Sequence, residues 1–215
     1  MSNFFLSLDV ETSGPFPGLY NLVSIGAIPL VQQAGVWTML KDRTFYVELH
    51  PLPDAQELAT CLKIHGLTVE HRLKNGLPPK EALRKFESYV DNLGVDYGRL
   101  LAAAWPATFD IPFLAWYCQR FIGRNFLIYN AFDIGSYAMG MFRCEPDHVS
   151  RRMQHAGFVQ SDTPHNHNAL SDATEQAEIL CWLLNYGEAS GNTQMIARPM
   201  DMKKYISSGG KKPDA

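Results

Sequence analysis

The sequence predicts an α/β fold built on a mixed sheet, and three observations carry that expectation. The first 50 residues hold three closely spaced strand signals, and connections this short imply antiparallel pairing. From about residue 78 onward, strand-like runs alternate with helical periodicity, as crossover connections do. A hydrophobic fraction of 46% over 215 residues is ample for one core, and no apolar run approaches the ~18–20 residues that would span a bilayer.

In chain order, FFLSLDV (4–10) alternates with period two. That period sets Phe5, Ser7, Asp9 and Glu11 on one face, and Phe4, Leu6, Leu8 and Val10 on the other. The Gly/Pro-rich turn SGPFPG leads to a second strand, LVSIGAIPLV (22–31), and RTFYVELHP (43–51) reads as a third. PPKEALRKFESYVDNL (78–93) opens on prolines and spaces Leu83, Phe86, Val90 and Leu93 as one face of a helix. RLLAAAW (99–105) is a short buried strand, IPFLAWYCQRF (111–121) a helix, and NFLIYNAF (125–132) a further strand. Helical segments follow around 134–142 and 146–156, then a loop at 158–167 and a long helix from about Asn168 to Tyr186. Beyond residue 187 the periodicity fades. We therefore expect one domain over 1–187 and a C-terminal extension over 188–215, flexible in its SSGGKKPDA end.

The N-terminus has no basic region before its apolar stretch, which an Asp-x-Glu interrupts, so it reads as a first strand rather than a signal peptide. Cys61, Cys118, Cys144 and Cys181 are widely spaced, with no C-x-x-C pair. Reduced thiols in a cytoplasmic protein fit that pattern better than a disulfide frame or a zinc site.

The chemistry lies in four carboxylates and a histidine. Asp9 and Glu11, two apart on a strand, point the same way and can face one site. Asp110 falls where the LLAAAW strand gives way to a helix, a position where α/β sheets gather functional residues; a helix N-cap is its ordinary alternative. Asp133 is a rival, since AFDI at 131–134 echoes TFDI at 108–111. Asp110 is preferred because FDIPFLAW runs straight into an apolar helix, which leaves Asp133 as a cap. His167 and Asp172, five apart, would lie ~140° from each other on one helix. They share a site only if His167 sits in the preceding loop, with Asn166 or Asn168 capping and the helix starting at Ala169. A loop histidine there can act as a general base or be a plain surface residue. His165 and His155 are nearby alternatives with the wrong spacing, and a zinc reading of His165 with His167 lacks a thiolate or third histidine. Hard oxygen ligands of this number suit two Mg²⁺ or Mn²⁺ ions.

These motifs resemble those of the DEDDh-type 3′–5′ exonucleases, which include proofreading subunits, RNase T, oligoribonuclease and TREX-type enzymes. Asp9-Val10-Glu11-Thr12-Ser13-Gly14 matches D-x-E-x-T/S-G, Phe109-Asp110 matches the strand-ending F-D, and His167 to Asp172 matches H-x4-D. The accessory H-G-[IL]-[ST] appears as His65-Gly66-Leu67-Thr68. The tyrosine form of the third motif is excluded, because Asn168 stands four before Asp172. The resemblance implies an RNase H-like fold with a five-stranded mixed sheet between helices. It also implies that Asp9, Glu11, Asp110 and Asp172 ligate two Mg²⁺ or Mn²⁺, with His167 as base. The backbone around Val10, Thr12 and Ser13 would hold the terminal nucleotide, and the His65–Leu67 segment would lie over its base. The implied substrates are 3′ ends of DNA or RNA, single-stranded for preference, and homodimers are common among such enzymes.

Two departures stand out. The run before F-D is Trp105-Pro106-Ala107-Thr108, without the usual Asn, and Pro106 removes a backbone donor. The first motif continues into Pro15-Phe16-Pro17-Gly18, where Phe16 either stacks on a base or packs on the surface. The net charge of −3 becomes +1 once the four candidate ligands are set aside, which argues against tight binding of long duplexes but not against short or single strands. Arg72, Lys74, Lys80, Arg84 and Lys85 are close in sequence and read equally as a solvated face or a strand guide. An RNase T- or oligoribonuclease-like exoribonuclease is the nearest alternative, and a catalytically silent nucleic-acid-binding domain the alternative of another class.

Overall fold

The computed structural model describes residues 4–127 and 131–190. Strand β1 (Phe4–Thr12) is central, antiparallel to β2 (Leu22–Gln33) and, through Phe4–Ser7, parallel to β5 (Leu100–Ala104). Strand β6 (Ala131–Asp133) adds in parallel to β5. The outer edge of β2 is shared: its C-terminal part pairs with β3 (Val36–Met39) and its N-terminal part with β4 (Phe45–Glu48). The sheet thus has six strands, ordered β3-β2-β1-β5-β6, with β4 pairing β2 in line with β3. It is the mixed sheet expected but with six strands rather than five, because the 12-residue β2 outruns any single partner. Of the run 125–132 expected as a strand, residues 128–130 lie outside the described residues, as does 191–215 of the extension.

The period-two pattern of β1 sorts its side chains into two cores. Phe4, Leu6, Leu8 and Val10 face a cluster closed by α3 (Pro79–Asn92) and α4 (Ala107–Ile122), which supply Leu83, Phe86, Phe113 and Tyr117. Phe5 faces the other cluster, closed by α5 (Ile134–Phe142), α6 (Val149–His155) and α7 (Ala169–Ala189). Short helices α1 (Ala59–His65) and α2 (Val69–Asn75), absent from the sequence expectation, precede α3.

Two features set α7 and α4 against the sheet. A Cβ at Gly26 of β2 would lie 2.1 Å from the Ala169 backbone, so only glycine lets the start of α7 approach so closely. Helix α4 begins at Ala107, earlier than expected, so Asp110 sits inside its first turn rather than at its N-cap. Asp133 has the capping role instead: it accepts the Ser136 N–H of α5 at 2.6 Å and the Ala107 N–H that opens α4 at 2.8 Å.

Candidate active site

The site forms where β1 outruns β5. Their pairing ends at Ser7, so the Val10 N–H, three residues on, donates instead to Asp110 Oδ1 at 2.9 Å. This bond ties the first turn of α4 to the Asp-x-Glu strand. Asp110 is 2% exposed, Asp172 1% and Glu11 9%, so three carboxylates are held almost out of water. One oxygen each of Asp9, Glu11 and Asp172 lies within 4.8 Å of the others.

Such crowding of like charge has a measurable signature. Burial, then the charges of Asp110, Glu11 and Asp172, pushes Asp9 well above the usual carboxylate range, with a hydrogen bond from Gln176 opposing. Burial and the charges of Asp172 and Asp110 push Glu11 up to about 8. Burial pushes Asp110 up to about 7 against the Val10 N–H. A cluster of hard oxygen donors whose ionised form is this costly fits divalent cations, which would supply the missing positive charge.

Asp172 lies in the first turn of α7, after Asn168, whose side chain accepts the Leu170 and Ser171 N–H groups as the N-cap. His167 precedes that cap, exposed, in the left-handed region at φ 57°, uncommon for a residue with a Cβ. The loop before it is tied to α7 at three levels. The Thr163 N–H and hydroxyl donate to Glu178 at 3.0 and 2.9 Å. His165 Nδ1 is 3.1 Å from Glu175 Oε2 and 3.5 Å from Asp172 Oδ1. The Asn166 N–H donates to Asp172 Oδ1 at 3.0 Å. Nitrogens of His165 and His167 both lie within 4.8 Å of Asp172, and their rings meet edge to face at 4.7 Å. His165, set aside on spacing, is therefore in contact with Asp172 at 3.5 Å, while His167 lies within 4.8 Å of it; a bent loop, not a helix, carries both there.

The expected substrate-side residues divide. The Val10 N–H donates to Asp110, and the Ser13 N–H to the Asn21 carbonyl at 2.9 Å, so both donors already have partners within the chain. The Ser13 hydroxyl, 1% exposed, donates to the Gln56 carbonyl at 2.6 Å and accepts the Asn21 N–H at 2.8 Å. Ser13 thus braces the motif from behind. The Thr12 hydroxyl donates to the Gly14 carbonyl at 2.9 Å. Phe16 is 67% exposed on the adjoining turn. In His65-Gly66-Leu67-Thr68, His65 Nδ1 accepts the Leu67 N–H at 3.0 Å, Gly66 ends α1 at φ 72°, and Thr68 caps α2. Burial, with Arg72 nearby, holds His65 below the ordinary imidazole range.

Sequence reasoning missed Gln176. It lies one turn beyond Asp172 on α7, 6% exposed, and donates from Nε2 to Asp9 Oδ1 at 2.8 Å. Its Oε1 accepts the Trp105 N–H at 2.9 Å, so one carboxamide joins a candidate ligand to the corner between β5 and α4. The available signal was its i+4 spacing from Asp172, which puts both on one helix face.

Comparison with known proteins agrees with this geometry. Residues 6–180 match the RNase T family model, described as an exonuclease. The 3′–5′ DNA exonuclease Cap18 of Escherichia coli is 29% identical over 175 residues, covering 81% of this chain and 88% of the relative. Ribonuclease T of Histophilus somni (strain 129Pt) is 25% identical over 199 residues, covering 90% and 89%. The nuclease domain of 3′hExo, a DEDDh family member bound to rAMP, superposes with a TM-score of 0.69 at 13% identity, over 92% of this chain and 98% of that one.

Proposed function

The chain belongs to the RNase T exonuclease family, and from that premise we propose that it hydrolyses single strands from the 3′ end, DNA foremost, releasing nucleoside 5′-monophosphates. The observation that carries this reading is the convergence of Asp9 and Glu11 from β1, Asp110 from α4 and Asp172 from α7, with acidity suppressed at Asp9, Glu11 and Asp110 by burial and, at Asp9 and Glu11, mutual charge as well.

Asp9, Glu11, Asp110 and Asp172 would hold two divalent cations, Mg²⁺ or Mn²⁺, which when bound offset charge on the phosphate and on the attacking and leaving oxygens. The side chains contribute the rest. His167 stands outside the helix on a loop tied down through Thr163, His165 and Asn166, so its imidazole can reach the attacking water and accept its proton. The water oxygen bonds to phosphorus, the bond to the penultimate 3′-oxygen breaks, and that oxygen takes a proton from solvent. Gln176 keeps Asp9 fixed, and the Val10 N–H does the same for Asp110. Phe16 and the His65–Leu67 segment flank the terminal base.

DNA is placed ahead of RNA on the relation to Cap18, and RNA is retained as a second reading on the near full-length relation to Ribonuclease T. A cytoplasmic setting accords with four free cysteines, and among the described residues no helix is long and apolar enough to cross a membrane. The test is digestion of 5′-labelled single-stranded DNA, RNA and duplex with Mg²⁺ or Mn²⁺. A ladder shortening from the 3′ end, absent with EDTA and in Asp9→Ala, is expected; internal cuts, or a ladder that survives Asp9→Ala, would overturn the proposal.

A further inference from the structure

Helix α6 carries a feature that the reaction itself does not use. His148, Arg151, Arg152 and His155 fall at i, i+3, i+4 and i+7, which puts them on one helical face, where they line a groove of about 170 Å³. Both arginines are exposed, and among the described residues neither has an acidic partner; Asp147, 3.9 Å from His148, is the acid in contact with the group. Met153 and Val149, each 2% exposed, anchor the opposite side of α6 in the core, so the basic face is held outward.

The adjacent flank of α6 borders a second cavity, of about 220 Å³. Trp105, Met153, Phe158 and Val159 give it an apolar wall, and Glu175 also lines it. Trp105 is bonded through its N–H to Gln176, which holds Asp9, and Glu175 holds His165 beside Asp172. Phe158 is backed by Trp182, ring centroids 5.2 Å apart, while Val159 stands 83% exposed. The volume is below the ~300 Å³ at which drug-sized sites begin, a scale nearer that of a single base. Gln154, Gln160 and Ser161 offer hydrogen bonds along its rim.

Resting on the exonuclease reading, we propose that α6 and the 158–161 segment form the track for the strand upstream of the scissile bond. One base enters the Trp105–Phe158 cavity, and the phosphates beyond it lie across Arg151 and Arg152. The occupant is single-stranded nucleic acid: the cationic face matches a phosphate chain, the apolar wall matches an unpaired base, and Trp105 and Glu175 link the cavity through Gln176 and His165 to Asp9 and Asp172.

The test uses R151E/R152E with K41E/R43E, an exposed pair between β3 and β4, as a charge-matched control. Binding of 5′-fluorescein-dT12 is read by anisotropy in EDTA, so no cleavage is needed. The R151E/R152E change should raise its Kd at least 10-fold, and the slope of log Kd against log salt should flatten by about 1.4, from ~0.7 per lost single-strand phosphate contact. With Mg²⁺, the ratio of kcat/KM for dT12 over dT2 should fall at least 10-fold, because dT2 is too short to reach α6. An unchanged ratio, or an equal fall in K41E/R43E, would overturn the track. If the native chain released no mononucleotide from either substrate, the exonuclease reading would fail, while the anisotropy would still decide whether α6 binds the strand.

Discussion

Replacing Gln176 with leucine, similar in length, tests whether its carboxamide holds the site together. The change removes the 2.8 Å bond to Asp9 and the 2.9 Å bond from Trp105, both largely shielded from water. The hydrogen bond contributes ~0.5–1.5 kcal/mol while Asp9 is protonated and ~1.5–3 kcal/mol once it is ionised, and an unpartnered buried N–H costs ~1–3 kcal/mol. Partial relaxation of α7 and relief of the leucine side chain into the core leave an expected net loss of roughly 2–4 kcal/mol in stability. Asp9, no longer oriented, should bind cations more weakly, and loss of a partner that orients a ligand typically costs ~10–100-fold. The assay is initial rate against Mg²⁺ concentration, beside thermal unfolding. The Mg²⁺ concentration at half-maximal rate should rise by that factor, with much of kcat regained at saturation. Wild-type Mg²⁺ dependence in a variant that is merely less stable would refute the positioning role.

Three further outcomes follow from the same structure. Glu11, pushed up to about 8 from 4.5, keeps a proton in the folded, metal-free chain that the unfolded chain has lost, so stability should fall as pH rises between those values; Glu11→Gln should lessen that slope, leaving the share of Asp9 and Asp110, abolish activity, and stabilise the metal-free protein at pH 9 by on the order of a few kcal/mol, as chemical denaturation would measure. His167→Ala should lower kcat by ~10²–10⁴-fold without changing cation stoichiometry; since His165 also stands beside Asp172, at 3.5 Å, a greater loss in His165→Ala by single-turnover kinetics would reassign the base. Gly26→Ala places a methyl 2.1 Å from the Ala169 backbone, so α7 must shift and carry Asp172 with it; a loss of several kcal/mol, on the order of the larger core substitutions, should appear in unfolding, and a wild-type Tm would contradict the close packing.

What the sequence disclosed tracks the physics of each segment. Asp9 and Glu11 were legible because alternation along β1 is strict enough to fix which face they share. The boundary of α7 was legible because Asn168 is a strong cap followed at once by apolar periodicity. The near-identical tetrapeptides around Asp110 and Asp133 do not separate the two; the choice of Asp110, with Asp133 as a cap, rested on FDIPFLAW running straight into an apolar helix. What separates them in space is the early start of α4, with Asp133 itself bonding the Ala107 N–H. Helices α1 and α2 were missed because their faces carry little core: α1 buries no residue, and α2 buries only Arg72, paired with Glu57. Strand β3 is four residues long and escaped for want of a pattern. Gln176 lies within a helix whose other buried residues are mostly apolar, and nothing local distinguishes a glutamine that orients a carboxylate from one that faces solvent.

The central claim, that four carboxylates from three elements form a two-cation hydrolytic site, is tested most directly by counting Mn²⁺ bound by the full chain in the presence of dTMP, using calorimetry. The account predicts two ions per chain in the native protein and fewer in Asp110→Asn and Asp172→Asn, with activity falling in parallel. No bound ion, or two ions retained in both variants, would contradict it.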